Sequence, residues 1–213
     1  VTAGYIPIAK TTTDVLEEFV LGLTENNSIW IGSDPSSATI AGSSNNTALG
    51  ILTLDAITDG HSNTAMGYSA GSRLNTGYYN VFMGYHAASS GTSANRTVAI
   101  GALAGNKIQD VRQSVIIGYQ AFMSGTTGDY NTIVGSDAAL KGTTMTQNTL
   151  VGNNAGDKLI ESSFNVAVGN NALQGHATQA TDSAYNVAIG HSAMYVTSGA
   201  NYNVAVGEGA LSG

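Results

Sequence analysis

The chain has 213 residues, a formal net charge of −7, no cysteine and 27 glycines, with 42% hydrophobic but only 10% charged residues. That balance excludes a disordered polyelectrolyte, and seven scattered cations make no basic surface for nucleic acid. The lack of cysteine removes disulfides and thiolate metal sites, the glycines lack the three-residue period of collagen, and no apolar run of about 18 residues exists to insert in a membrane.

Residues 1–27 carry no repeat and read as an N-terminal connector or cap. They hold Pro7, the Thr11-Thr12-Thr13 run and the stretch from Asp14 to Leu21. The chain opens at Val1 without a signal-type apolar run, as expected of a mature form or a fragment. Asn27-Ser28-Ile29-Trp30-Ile31-Gly32 reads as the first, imperfect copy of a repeat, so residues 28–213 form a repeat domain that is regular from 46.

A glycine closes each short apolar run: Gly50, Gly67, Gly84, Gly101, Gly118, Gly135, Gly152, Gly169, Gly190 and Gly207. Seven successive steps are 17 residues, one is 21 and the last is 17 again. Four places before the glycine stands Asn, Thr or Ser, as in Asn63, Asn80, Thr97, Ser114 and Asn165. A β-branched residue comes next, and the residue just before the glycine is always apolar, as in Val166 and Val168 before Gly169. These are strand signals, and residues two apart share a face. The Val, Ile and Met columns are expected to fill the coil interior, with most repeat Thr residues in that buried column. The central residue, often Ala as in Ala167, is expected to face a neighbouring subunit, because two apolar faces require two partners.

The glycine marks a turn with positive φ, or a backbone packed too closely for a Cβ. Seventeen residues at about 3.3 Å give a closed path of roughly 56 Å, and ten coils stacked at about 4.8 Å make a rod near 48 Å long. The fold class expected is all-β, a parallel β-solenoid of about ten 17-residue coils, its Asn column a ladder of stacked amides. A helical solenoid fails on repeat length and on the glycine and β-branched content. Solenoid ends need covering, and a chain that stops at Gly213 in mid-coil is expected to continue or to stack end to end on further fibre protein.

Asn165 to Leu173, Asn186 to Met194 and Asn203 to Leu211 resemble the head repeats of trimeric autotransporter adhesins, and more closely the repeats of bacteriophage tail fibres. The lead-in from Gly4 to Glu18 resembles that of the phage fibres. The likeness covers residues 46–213; the period is longer than the adhesins' fourteen or so, and no heptad stalk or anchor barrel is present. It implies a left-handed β-roll assembled as a homotrimer, located in a virion tail fibre or at an extracellular surface.

No catalytic constellation recurs along the chain, so no enzyme and no cofactor is expected. Asp129 and Asp137 read as solvated carboxylates rather than a polysaccharide-cleaving pair, and His61, His86, His176 and His191 lack metal-ligand spacing. Two aromatic columns stand out. One comes directly after the turn glycine (Tyr68, Tyr85, Tyr119); the other lies five places before it (Tyr79, Tyr130, Phe164, Tyr185, Tyr202). Such rings either bind a host-surface polysaccharide or brace coils and subunits. Tyr68, Tyr85, Tyr119 and His176, the last in the longer interval, are the receptor-contact candidates. The function expected is a structural and adhesive segment of a trimeric fibre that holds or forms a host-recognition surface. The alternative is a subunit of a self-polymerising extracellular filament, and a depolymerase is a third class. Ice binding is discounted because its Thr ladder would have to lie outside.

Overall fold

The structure is a computed structural model that describes residues 23–32, 42–175, 182–196 and 199–212. In chain order the strands are β1 (Leu23–Glu25), β2 (Ser28–Ile31), β3 (Thr47–Leu49), β4 (Thr64–Met66), β5 (Val81–Met83), β6 (Val98–Ile100) and β7 (Asp110–Arg112). They continue as β8 (Val115–Ile117), β9 (Thr127–Asp129), β10 (Thr132–Val134), β11 (Thr149–Val151), β12 (Val166–Val168), β13 (Val187–Ile189) and β14 (Val204–Val206). No helix occurs among the described residues.

The main sheet runs β1-β2-β3-β4-β5-β6-β8-β10-β11-β12-β13-β14. Each strand from β2 onward pairs in parallel with its counterpart one coil later, Val98 with Val115 and Ala167 with Ala188, with no slip in register. The period has therefore become a parallel β-solenoid of about nine turns. A second ladder runs along another side of the coil, through Ser44, His61, Tyr78, Asn95 and Arg112, and includes the pair β7 and β9. At the N-terminal end β1 folds back on β2 in an antiparallel hairpin whose turn, Asn26-Asn27, has φ of 49° and 60°. Two left-handed residues in a two-residue turn suit the twist of a hairpin. The rest of the expected connector, residues 1–22, lies outside the described residues.

The inside and outside of the strands are the reverse of the expectation. Ala167 is fully buried while Val168 is 37% exposed. The same alternation holds from Thr47–Leu49 onward, the central residue pointing in and its two neighbours out. The Val, Ile and Met columns therefore clothe the outside. Thr47, Thr64 and Thr132 are exposed too, so the repeat threonines do not occupy a buried column. The physical reason is room: the coil interior also receives the Ala three residues after the glycine and further side chains from two other sides. Only one residue per strand fits.

Large and small residues interlock there. Phe82, Ile116, Ile133 and Leu150 fill the central column where other rungs have Ala. A Cβ on Gly71 would strike Phe82 and Leu54, one on Gly125 would strike Phe122, and one on Gly142 would strike Met145. Interiors packed to crystal-like density require such compensation.

The turn glycine meets both of its expected requirements. In that column φ lies between 121° and 144°. From Gly50 to Gly190 a Cβ would also come within 3 Å of the next rung's glycine carbonyl oxygen.

The amide ladder forms as expected. Asn63 Nδ2 donates to Asn46 Oδ1 at 3.0 Å and to the Gly77 carbonyl at 2.9 Å. Its own Oδ1 accepts the Asn80 backbone N–H at 3.1 Å and Asn80 Nδ2 at 2.9 Å. Thr97 and Ser114 interrupt the amides, but the Asn131 N–H still finds Ser114 Oγ at 3.1 Å. Across the 21-residue step the ladder persists, Asn186 Nδ2 reaching Asn165 Oδ1 at 3.0 Å. The extra residues therefore leave the core path; of that interval, 176–181 lie outside the described residues.

Candidate functional site

The outward neighbours of the buried central residues make the most extensive unusual surface. Two columns run the length of the sheet, from Ile29 and Ile31 through Thr64 and Met66 to Val204 and Val206. Neither contains a charged residue. The alternation that turns the Asn ladder inward turns the residue before it outward, so the two aromatic columns border this strip on opposite sides.

Threonine occupies the strip at positions 47, 64, 132 and 149, but Val81, Val98 and Val115 intervene. The threonines are outside, contrary to expectation, yet no continuous Thr array results.

The aromatic columns are ordered by stacking. Phe164 lies 4.8 Å from Tyr185 at an interplanar angle of 5°, and Tyr185 lies 4.9 Å from Tyr202 at 3°. Tyr68 and Tyr85 stack at 5.7 Å, with the edge of the pair closed by His86. Rings stacked along the rod cover each other's faces and present their edges. A sugar ring packs on an aromatic face, so the stacked members offer it little. Tyr119 stands apart from that stack because Ala102 takes the intervening rung. The structure thus joins Tyr68 to Tyr85 but not to Tyr119, and His176 lies outside the described residues.

A further stack, not expected from the sequence, is that of His61 on Tyr78, at 5.2 Å and 7°, with Tyr79 at right angles and Arg96 5.4 Å from the Tyr78 ring centre. Its signal in the sequence is the 17-residue spacing between His61 and Tyr78, one column before the aromatics headed by Tyr79.

The carboxylates divide between different environments. Asp129 accepts the Arg112 backbone N–H at 3.0 Å, while Arg112 pairs with Asp110 at 2.8 Å, which raises the guanidinium pKa. Asp137 bonds Ser136 instead. The buried carboxylate is Asp157, pushed up by desolvation, opposed by Lys158 and Lys141, and pushed further by Asp137. Its Oδ1 has no hydrogen-bond partner, and neither does Oε1 of Gln174 one rung on. Among the described residues no three His, Asp or Glu side chains gather as a metal site.

Fold and surface together define a parallel β-solenoid with an apolar strip along one side. No protein-family model, curated protein or solved structure matches the chain.

Proposed function

We propose that the chain is a rigid segment of an extracellular fibre of the phage tail-fibre type, in which three copies bury their apolar strips against one another. The observation that carries this reading is the uncharged outward pair of strand columns. At about 10 Å across three residues and about 48 Å along ten rungs, the strip projects roughly 480 Å². With the bordering rings it exceeds the 300–600 Å² or so of the largest apolar patch on a typical monomer.

A second copy of the chain is the occupant the strip suits best. Its ridges recur at the rung spacing of about 4.8 Å, and only a surface with the same spacing meets them along the whole length. Three copies meeting at one axis would cover every strip, whereas two would leave part of each open. The left-handed coil and the host-directed role come from the resemblance to fibre repeats. In this reading the segment holds recognition surfaces away from the particle, further fibre protein joins its ends, and the stacked rings brace the rod.

Light scattering on the purified chain is expected to give about three times 21.6 kDa, and electron microscopy short discrete rods. A monomeric mass would overturn the assembly. Long filaments would favour end-to-end polymerisation instead.

A further inference from the structure

We infer that the two aromatic columns are the seams of this assembly, the column after the turn glycines of one chain lying against the column before the strand of a neighbour that runs in the same direction. The inference rests on the proposal that copies of the chain cover the apolar strip, but its evidence is separate. It lies in how ring and recess are distributed within each rung.

In most rungs that carry a ring, one edge of the strip bears it and the other a polar residue. Tyr68 stands opposite Ser62, and Tyr119 opposite Gln113. Farther along the rod the sides exchange: Ser136 stands opposite Tyr130, and Asn170 opposite Phe164. Only the rung of Gly84 places rings on both edges, Tyr79 and Tyr85.

A projecting ring needs a recess at its own height on the surface it meets. Within every such rung the recess is on the opposite edge, so it is used only when unlike edges come together. Rotation of copies about an axis parallel to the rod brings unlike edges together and keeps the chains parallel. An antiparallel pair brings like edges together and uses none of these recesses.

The rings are also held ready for that role. Tyr119 and Tyr130 are each more than half exposed in the single chain. Phe164, Tyr185 and Tyr202 are fixed in parallel at the rung spacing, and their outward edges are shaped to wedge between residues of a neighbour. Buried aromatic rings dominate interface energetics, and pre-stacked rings lose little freedom on docking.

Because the chain has no cysteine, disulfide trapping reads the seam directly. Two double variants place one cysteine on each edge of a single rung: Gln113→Cys with Tyr119→Cys, and Tyr130→Cys with Ser136→Cys. Within a chain each pair is separated by roughly 15–20 Å across the strip, beyond disulfide reach. Oxidation is expected to give covalent trimers on denaturing gels from at least one double variant, and monomers from each single variant.

An assembled protein that yields no covalent product from either pair, or covalent product from a single variant, overturns the seam and leaves the assembly standing. A wild-type chain that scatters as a monomer overturns the apolar-strip proposal itself, and the seam with it.

Discussion

Removing one amide from the buried ladder, by Asn148→Ala, tests the ladder where it is unbroken on both sides. Asn148 Oδ1 accepts the Asn165 backbone N–H at 3.0 Å and Asn165 Nδ2 at 3.1 Å. Its Nδ2 donates to Asn131 Oδ1 at 3.1 Å and to the Ser162 carbonyl at 2.8 Å. Alanine leaves the neighbours unequally affected. Asn131 Oδ1 keeps the backbone N–H of residue 148, and Asn165 Nδ2 keeps the Ser183 carbonyl. The Asn165 N–H is orphaned inside the coil.

A buried unsatisfied donor costs about 1–3 kcal/mol, and the other lost bonds add about 0.5–1.5 kcal/mol each at most. The expected loss is therefore about 2–4 kcal/mol. Asn148→Ser should cost about half as much, because at Ser114 a hydroxyl accepts the next rung's N–H at 3.1 Å. Urea unfolding monitored by far-UV circular dichroism, at matched protein concentration, measures both variants. Hydrogen exchange at Asn165 reports the orphaned amide directly. If Asn148→Ala unfolds within about 0.5 kcal/mol of wild type, or if Ser proves no better than Ala, the ladder does not hold the coils together as argued.

Aspartate on either side of the strand should separate folding from assembly: Ala167→Asp buries an unpaired charge and is expected to abolish folded protein, whereas Val168→Asp is expected to give a folded chain of monomeric mass by circular dichroism and light scattering. Gly135→Ala must displace the carbonyl of Gly152, so its melting temperature should fall far below that of Gly105→Ala. Gly105 has φ of 56°, and alanine already occupies the equivalent places, Ala88 and Ala139, at 50° and 52°. The left-handed conformation alone costs about 1–2 kcal/mol. Asp157 has a folded pKa above its unfolded value, so its charge destabilises the fold at neutral pH, and the penalty is relieved as pH falls through the folded pKa. Asp157→Asn should raise stability near pH 7 by about 1 kcal/mol and flatten this pH dependence, since Asn106 in the same column donates to the His86 carbonyl. A lower urea midpoint for Asp157→Asn would show that attraction to Lys141 and Lys158 outweighs burial.

The period of 17 residues is enough to establish parallel, in-register strands, because a repeat of fixed length has to stack each residue on its equivalent. Strand parity is not legible in the same way. Val166, Ala167 and Val168 are all apolar, so alternation offers no polar side to exclude, and size alone assigns the larger residues to the interior, wrongly. The clue lies in other columns. Glycines at 71, 125 and 142 make room for Phe82, Phe122 and Met145, which only a confined interior requires.

The corners are hidden for another reason. Tyr79, His86 and Phe164 adopt φ of 57°, 53° and 60°, where side chains of their kind seldom go. Nothing in their identities announces it. For the surface, the aromatic columns can be read from spacing, but not the fact that stacking turns their faces toward one another. The Asn26-Asn27 turn, by contrast, carries the residue type that a hairpin's left-handed positions favour.

The left-handed corners also bear on how the rod comes into being. Each 17-residue coil carries about four residues at positive φ, the turn glycine among them, and a lone coil has no neighbour to repay their strain. A completed rung supplies backbone partners, an amide acceptor and a floor for the next. Growth should therefore be templated: a slow start at one place, then rapid winding of chain onto an existing end. Unfolding and refolding would then take different paths through denaturant, with hysteresis set by the rarity of the first rung rather than by the stability of the last.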